Sequence, residues 1–194
     1  MTNPTAAKAP ASELTLPLSK EKSDWLKSTI RDIPDFPKPG IIFKDITTLL
    51  KDPKAFTYCI DVITERVRKD DVDFIVGIEA RGFILGSVVA YHLNKGFIPI
   101  RKPNKLPHNV EKVEYDLEYG TDSVEVHIDA AAKGHKVALI DDLLATGGTA
   151  LAAYQLLTKL GAEVTAIGFI TELAFLDGRK KMPKDVDVFS LITY

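Results

Sequence analysis

The stretch that decides the fold is Val137-Ala138-Leu139-Ile140-Asp141-Asp142-Leu143-Leu144-Ala145-Thr146-Gly147-Gly148-Thr149-Ala150. Its first four residues suit a strand buried on both faces of a parallel sheet, and such sheets place ligands beyond the carboxyl ends of their strands. Two acids stand at that end. The turn that follows has glycines that let backbone N–H groups approach one another, threonines that add hydroxyl donors, and a helix N-terminus that favours an anion. We therefore predict a phosphate site beside a pair of carboxylates.

Strands and helices alternate on both sides of this stretch. The apolar run from Phe74 to Ile78 is predicted as another buried strand, and shorter runs predict strands at 97–100, 164–170 and 186–192. Helices are predicted from Pro53 onward after an Asp52 cap, from the turn at 79–82 through Asn94 with Gly96 closing it, and from 148 to 160. This alternation predicts an α/β fold with a central, mostly parallel sheet flanked by helices.

The remaining segments are less regular. Residues 1–18 are predicted as a flexible tail and residues 19–194 as a single domain, with Ser19 or Ser23 capping its first helix. The proline-dense stretch from Ile33 to Gly40 is predicted as an extended arm outside both helix and strand. A basic stretch from Arg101 to Lys112 is predicted as a mobile loop, followed by an antiparallel hairpin with strands at 113–119 and 123–128.

Composition narrows the class of protein. The net charge of −2 is spread along the chain, so nothing indicates a nucleic-acid or membrane-surface footprint. The only cysteine, Cys59, falls in a helical apolar pattern and is predicted as core, which suits a reducing compartment. We find no apolar run long enough to span a bilayer, no secretory signal pattern and no close His/Cys spacing typical of zinc sites. The expected location is the cytoplasm.

A second turn, Glu79-Ala80-Arg81-Gly82, ends another predicted parallel strand, so it should open on the same edge of the sheet as the first turn. Arg81 can bind a diphosphate through its planar fork, and Gly82 allows close approach of the main chain. An arginine after a strand is often only a solvated surface residue, but its position here favours the site. The basic cluster of Arg101, Lys102 and Lys105 suits a diphosphate or ordinary loop solubility equally well, with Arg101 the best candidate.

The stretch from Asp141 to Thr149 closely resembles the sugar-phosphate motif of the type I phosphoribosyltransferases, whereas a tight turn with a helix cap would explain only part of it. The resemblance implies that Asp141 and Asp142 hold the ribose 2- and 3-hydroxyls of phosphoribosyl pyrophosphate (PRPP). The residues implied for the 5-phosphate are Ala145, Thr146, Gly147, Gly148 and Thr149. Those implied for the pyrophosphate are Arg101, Lys105 and the turn residues Glu79, Ala80, Arg81 and Gly82, and this turn sometimes contains a non-proline cis peptide in the family.

Three further stretches narrow the resemblance to the members of this family that use adenine: residues 36–47, 79–83 and 117–120. The resemblance implies a small N-terminal hood drawn mainly from residues 33–48, in which the main chain of Ile42 meets the purine edge and Phe43 stacks on the ring. Phe43 as plain core is the alternative. Lys44 stands where an arginine is usual in the family, which leaves its contact with the base open. Leu173 would pack on the opposite ring face.

The implied reaction joins adenine to PRPP and releases AMP and pyrophosphate. Glu118 is the expected proton acceptor and Arg81 the expected partner of the leaving group. Mg²⁺ is the implied cofactor, with no dedicated protein cage and with Asp141 and Asp142 near it directly or through water. A homodimer is expected, without nucleic-acid or membrane partners. The alternatives are a salvage transferase for hypoxanthine, guanine or xanthine, and a regulator that binds PRPP without catalysis.

Overall fold

The structure, a computed structural model, describes residues 14–116 and 121–194. The chain divides into two compact units, one ending at Arg66 and one from Val67 to Tyr194. In chain order the elements are α1 (Lys20–Ser28), β1 (Arg31–Pro34), β2 (Ile42–Asp45), α2 (Thr47–Lys51), α3 (Pro53–Arg68), β3 (Phe74–Ile78), α4 (Arg81–Leu93), β4 (Gly96–Ile100), β5 (Val110–Asp116), β6 (Thr121–His127), β7 (Lys136–Leu144), α5 (Gly148–Lys159), β8 (Glu163–Glu172), two 3₁₀ helices (Ala174–Leu176 and Gly178–Lys181) and β9 (Asp187–Thr193).

The second unit contains a parallel sheet of five strands in the order β4-β3-β7-β8-β9. Helix α4 connects β3 to β4 and α5 connects β7 to β8, so the two crossovers run in opposite directions along the sheet. Right-handed crossovers of opposite direction cover opposite faces. Strands β5 and β6 form a separate antiparallel hairpin. The predicted fold class, a parallel sheet flanked by helices with an added hairpin, is confirmed.

The first unit contains α1 and an antiparallel pair of strands, β1 and β2. The Ser19 side chain accepts a hydrogen bond from the Lys22 N–H, which confirms one of the two predicted caps. The prediction that the stretch from Ile33 to Gly40 lies outside regular structure is wrong at its start, because Ile33 and Pro34 belong to β1. Proline is tolerated there since it ends an edge strand, where its missing N–H costs no ladder bond.

Two further boundaries differ from the sequence prediction. Helix α4 ends at Asn94, which takes up the left-handed conformation (φ 54°), while Gly96 starts β4 instead of closing the helix. Asparagine replaces glycine at such caps because its short polar side chain tolerates positive φ. Strand β7 continues to Leu144, so Asp141 and Asp142 lie inside the strand near its carboxyl end and not after it.

The core of the second unit lies largely between the sheet and α5. Its fully buried side chains include Leu139 of β7, Leu156 of α5 and Phe169 of β8.

Cys59 is fully buried in α3, and burial raises the pKa of its thiol to about 12, which confirms it as core filling. No helix within residues 14–116 and 121–194 is long and apolar enough to cross a membrane.

Candidate active site

A cavity of about 250 Å³ opens at the carboxyl edge of the parallel sheet. Both turns predicted from the sequence contribute to its wall, and both belong to the second unit. The lining residues are Glu79, Ala80, Arg81, Lys102, Asp141, Asp142, Leu143, Leu144, Ala145, Thr146, Gly147, Gly148, Thr149 and Ala150. Residues separated by some sixty positions therefore share one concave surface, as expected for neighbouring parallel strands.

The turn between β7 and α5 has the geometry of an anion site. Gly147 takes up the left-handed conformation (φ 79°) and precedes the first residue of α5. Because Gly147 has no side chain to cap the helix, the N–H groups of the first turn of α5 receive no cap from it. Such N–H groups, with the positive end of the helix dipole behind them, bind phosphate oxygens.

The second turn is held against the acid pair. The peptide bond between Glu79 and Ala80 is cis. A Cβ at Gly82 would stand 2.8 Å from the Ile140 carbonyl oxygen and 2.9 Å from Asp141 Oδ1, so only glycine lets α4 begin this close to β7. The Arg81 Nε donates to Asp142 Oδ2 at 2.5 Å, which ties this turn to the acid pair in β7.

The two acids have different surroundings. Asp142 is buried and paired with Arg81, whereas the Asp141 carboxylate accepts a hydrogen bond from the Asp142 N–H at 2.9 Å. Burial and the neighbouring Asp142 carboxylate raise the pKa of Asp141 well above its ordinary value. The site therefore holds one carboxylate balanced by a cation and one that favours a proton or a ligand hydroxyl group.

The basic cluster after β4 divides between two roles. Arg101 donates to both oxygens of Glu79, at 3.1 and 3.2 Å, and to the Lys105 carbonyl oxygen at 3.0 Å. The bond from Arg101 holds the pKa of Glu79 below its usual range. Lys102, and not the preferred candidate Arg101, is the member of the cluster that lines the cavity.

Lys102 is held by the hairpin. Its ammonium group binds Asp122 and donates to the Tyr115 hydroxyl at 3.0 Å, and the Thr149 hydroxyl donates to Tyr115 at 3.2 Å. Burial lowers the pKa of Lys102, but these hydrogen bonds outweigh it and leave the pKa raised, so the side chain carries its positive charge into the cavity. Nothing local in the sequence predicts this network, because it joins the segment after β4 to β5, β6 and α5.

The residues expected to bind the base lie in two places. In the first unit, Ile42 is 56% exposed, Phe43 packs edge-on against Phe36 with ring centroids 5.3 Å apart, and Lys44 pairs with Asp32 at 2.7 Å. In the second unit, the Leu173 N–H donates to the Leu144 carbonyl oxygen at 2.9 Å, immediately after the cavity wall.

The main chain of Ile42 faces Pro34 of β1 in the strand register. Pro34 has no N–H, so it cannot donate to the Ile42 carbonyl group. The carbonyl of the preceding residue, Ile41, is the one that accepts a bond from the facing arm, from the Phe36 N–H at 3.3 Å.

Two further expectations concern Glu118 and a bound metal ion. Glu118, the expected proton acceptor, lies outside the described residues. Within residues 14–116 and 121–194, no three His, Cys, Asp or Glu side chains are grouped so as to hold a metal ion.

Residues 45–193 match the family model described as phosphoribosyl transferase domain. The chain is 56% identical over 171 residues to the adenine phosphoribosyltransferase of Nostoc punctiforme, an alignment that covers 87% of this chain and 99% of the relative.

Solved structures agree with the sequence comparison. The crystal structure of adenine phosphoribosyltransferase from Thermoanaerobacter pseudethanolicus superposes with a TM-score of 0.84 at 52% identity, covering 88% of this chain and 99% of that one. The Saccharomyces cerevisiae adenine phosphoribosyltransferase, crystallised with D-2,5-dideoxy-2,5-imino-altritol 1,6-bisphosphate and adenine, gives 0.83 at 37% identity, covering 88% and 98%.

Proposed function

The chain belongs to the adenine phosphoribosyltransferase family, and we propose from that membership that it transfers the 5-phosphoribosyl group of PRPP to adenine, giving AMP and pyrophosphate in purine salvage. The observation that carries the proposal is the single cavity in which the acid pair, the turn at the start of α5 and the Arg81 turn meet. Such a cavity has separate places for ribose hydroxyls, a phosphate monoester and a diphosphate.

The assignment of the sugar phosphate follows the chemistry of the cavity. Asp141 and Asp142 accept hydrogen bonds from the ribose 2- and 3-hydroxyls, and residues 145–149 hold the 5-phosphate through backbone N–H and threonine hydroxyl groups. Glu79, Ala80, Arg81 and Gly82 hold the pyrophosphate. Arg101 fixes Glu79 and, with Lys105, adds positive charge beside it, while Lys102 extends into the cavity.

In the reaction the bond from ribose C1 to the diphosphate oxygen breaks and a bond from C1 to the purine imidazole nitrogen forms. That nitrogen loses its proton, for which Glu118 is the proposed acceptor, and pyrophosphate leaves with the bonding electron pair. Because the sugar passes through an oxocarbenium-like state, positioning and charge stabilisation of the leaving group supply most of the rate. Arg81 serves that purpose at the cavity wall.

The residues present fit a magnesium ion bound mainly by substrate oxygens. Mg²⁺ keeps several of its waters and needs only one or two protein carboxylates beside phosphate groups. Asp141 and Asp142 supply such carboxylates in the cavity, directly or through water. When bound, the ion would neutralise charge on the diphosphate.

Selection of adenine is assigned to the main chain of Ile42. Successive backbone groups along a strand point to opposite edges. Since the Ile41 carbonyl faces the opposing arm and Pro34 offers no N–H, the N–H and C=O of Ile42 are directed to the outer edge of β2. A donor and acceptor side by side match the acceptor nitrogen and amine of adenine, whereas hypoxanthine and guanine present a carbonyl there and leave one group unpaired. Phe43 would contact a face of the ring, with Lys44 nearby.

The proposal also includes a homodimer located in the cytoplasm. Ile84 and Tyr91, seven positions apart on one face of α4, are 44% and 83% exposed. Exposed apolar side chains on one helix face are typical of a protein contact surface, and we assign this one to a second copy of the chain. The reduced, buried Cys59 suits the cytoplasmic location.

The decisive test measures nucleotide formation from PRPP and Mg²⁺ with adenine, hypoxanthine, guanine and xanthine in turn. We expect adenine to exceed the other bases by about 100-fold or more in kcat/KM. Turnover of hypoxanthine equal to that of adenine would contradict the assigned specificity but not the family. PRPP binding without turnover of any base would support the regulator instead.

A further inference from the structure

The segment from Glu172 to Lys181, which we call the brace, contacts the phosphate turn main chain to main chain. A Cβ at Gly178 would stand 2.1 Å from the Ala145 carbonyl oxygen and 2.9 Å from the Gly147 nitrogen. A Cβ at Gly147 would stand 2.6 Å from the Gly178 carbonyl oxygen. Real Cβ atoms essentially never come that close to such atoms, so the contact requires glycine on both sides. The brace lies outside the sugar-phosphate motif, which ends at Thr149, 23 residues before the brace begins.

An ion pair between the buried Glu172 and the exposed Arg179 fixes the brace to the end of the sheet. The Arg179 Nε donates to Glu172 Oε1 at 2.8 Å and its Nη2 binds Oε2, while Nη1 donates to the Val188 carbonyl oxygen at 2.6 Å. The Ser190 hydroxyl donates to Glu172 Oε2 at 2.9 Å. The Glu172 side chain is only 8% exposed, and the bond from Arg179 lowers its pKa. Arg179, the residue next to Gly178, is therefore bonded to both β8 and β9.

The other end of the brace meets the cavity wall. The N–H of Leu173 donates to the carbonyl oxygen of Leu144, the last residue of β7. The turn at residues 145–149 is thus held at β7, which leads into it, and at Gly178, which lies against Ala145 and Gly147. Loops that bind phosphate through backbone N–H groups depend on fixed positions of those groups, because their dipoles must be in place before the ligand arrives.

We propose that the brace positions the 5-phosphate turn for its ligand, with Glu172 and Arg179 as positioning residues that act through Gly178. This inference rests on the proposed function, since it takes residues 145–149 as the phosphate site. It assigns a role in substrate binding to an ion pair whose other side-chain hydrogen bonds go to Val188 and Ser190, which do not line the cavity. The consequence is selective: loss of the pair weakens the sugar-phosphate site and leaves the pyrophosphate turn intact.

The test uses the full chain and two ligands in the presence of Mg²⁺, ribose 5-phosphate for the phosphate turn and pyrophosphate for the Arg81 turn. In Arg179→Met we expect the Kd of ribose 5-phosphate to rise about 10-fold, as small misplacements of binding groups produce. The Kd of pyrophosphate should not change. Arg179→Lys keeps the charge without the planar fork, so its Kd for ribose 5-phosphate should lie between those of Arg179→Met and the wild type. In kinetics, KM for PRPP should rise with kcat nearly unchanged.

Lys159→Met is the matched control, because it removes a basic side chain from an exposed ion pair with Glu111 at the far end of α5. It should leave both dissociation constants unchanged, and thermal unfolding is measured on each variant. Equal losses for both ligands, or a lower melting temperature with ribose 5-phosphate binding intact, would show that the pair serves stability alone. A wild-type chain that binds neither ligand would instead contradict the proposed function, and the inference with it.

Discussion

At the scale of single residues, the site depends on two adjacent carboxylates with unequal partners. Asp142 is neutralised by Arg81, but the half-buried Asp141 is left partly desolvated beside another carboxylate, which raises its pKa. A group whose pKa is raised by folding adds stability below its unfolded pKa, and that stability is lost as the pH rises through the folded pKa. Asp141 is thus held at a cost to stability that its ligand would offset.

The first prediction replaces Asp141 with its neutral isostere. Asp141→Asn should increase the free energy of unfolding at neutral pH by about 0.5–2 kcal/mol, as substitutions at strained functional sites commonly do. Its stability should also fall less than that of the wild type as the pH rises from acid to neutral. PRPP binding should weaken in the same variant, because a strong acceptor for a ribose hydroxyl is lost. Chemical denaturation across this pH range and PRPP titration measure the two effects. A variant less stable than the wild type at neutral pH would contradict the account of Asp141.

The second prediction concerns Glu118. Glu118→Gln keeps the size of the side chain but removes its ability to take a proton. We expect kcat to fall about 10²–10⁴-fold, the usual contribution of a general base, with the Kd of PRPP unchanged. Single-turnover kinetics and equilibrium titration separate the two quantities. Equal losses in rate and in PRPP affinity would move Glu118 from chemistry to binding.

At this scale the sequence predicts residues in local motifs better than residues joined through the fold. The acid pair, the glycine-rich turn and the Arg81 turn line one cavity, as expected from strand ends that share an edge. The pairing of Arg101 with Glu79 and the placement of Lys102 by Asp122 are not predictable in this way. They depend on contacts that the segment after β4 makes with the residue after β3 and with β6 of the hairpin.

At the scale of elements, strand boundaries decide where functional groups point. The proline-dense arm was expected to be irregular, yet Pro34 ends β1 and faces Ile42 of β2. Proline patterns predict the lack of a donor but not the pairing of the strand, which the partner strand supplies. The same pairing is what directs the Ile42 main chain outward in the proposed base site.

The third prediction removes the N–H of Ile42. Ile42→Pro should raise the Kd of adenine by about 10–100-fold. The adenine nitrogen that pairs with the Ile42 N–H would be left unsatisfied, at a cost of about 1–3 kcal/mol. Proline is acceptable on an edge strand when its N–H faces away from the partner strand. PRPP affinity should not change. Ile42→Val, which keeps the N–H, is the control, and adenine binding equal in the two variants would place recognition elsewhere.

At the scale of the whole molecule, length, composition and element order are sufficient to predict the α/β class. The order β4-β3-β7-β8-β9 is not part of that prediction, because alternating strands and helices with right-handed crossovers are compatible with several strand orders. The proposed association of two chains cannot be predicted in this way, because the sequence alone does not show that Ile84 and Tyr91 of α4 stay exposed.

The fourth prediction concerns that face. Light scattering should give the mass of two chains for the wild type and of one chain for Tyr91→Glu, because a buried, unpaired carboxylate opposes association. Tyr91→Phe should behave as the wild type. A wild-type mass of about 21.4 kDa, that of one chain, would contradict the proposed homodimer.

The central claim is that the cavity at the carboxyl edge of the sheet holds the phosphoribosyl group, and a crystal structure with AMP tests it most directly. The account predicts the 5-phosphate on the backbone of residues 145–149 and the ribose hydroxyls on Asp141 and Asp142. A nucleotide bound outside this cavity, or with its phosphate on the Arg81 turn and its ribose away from both acids, would contradict it.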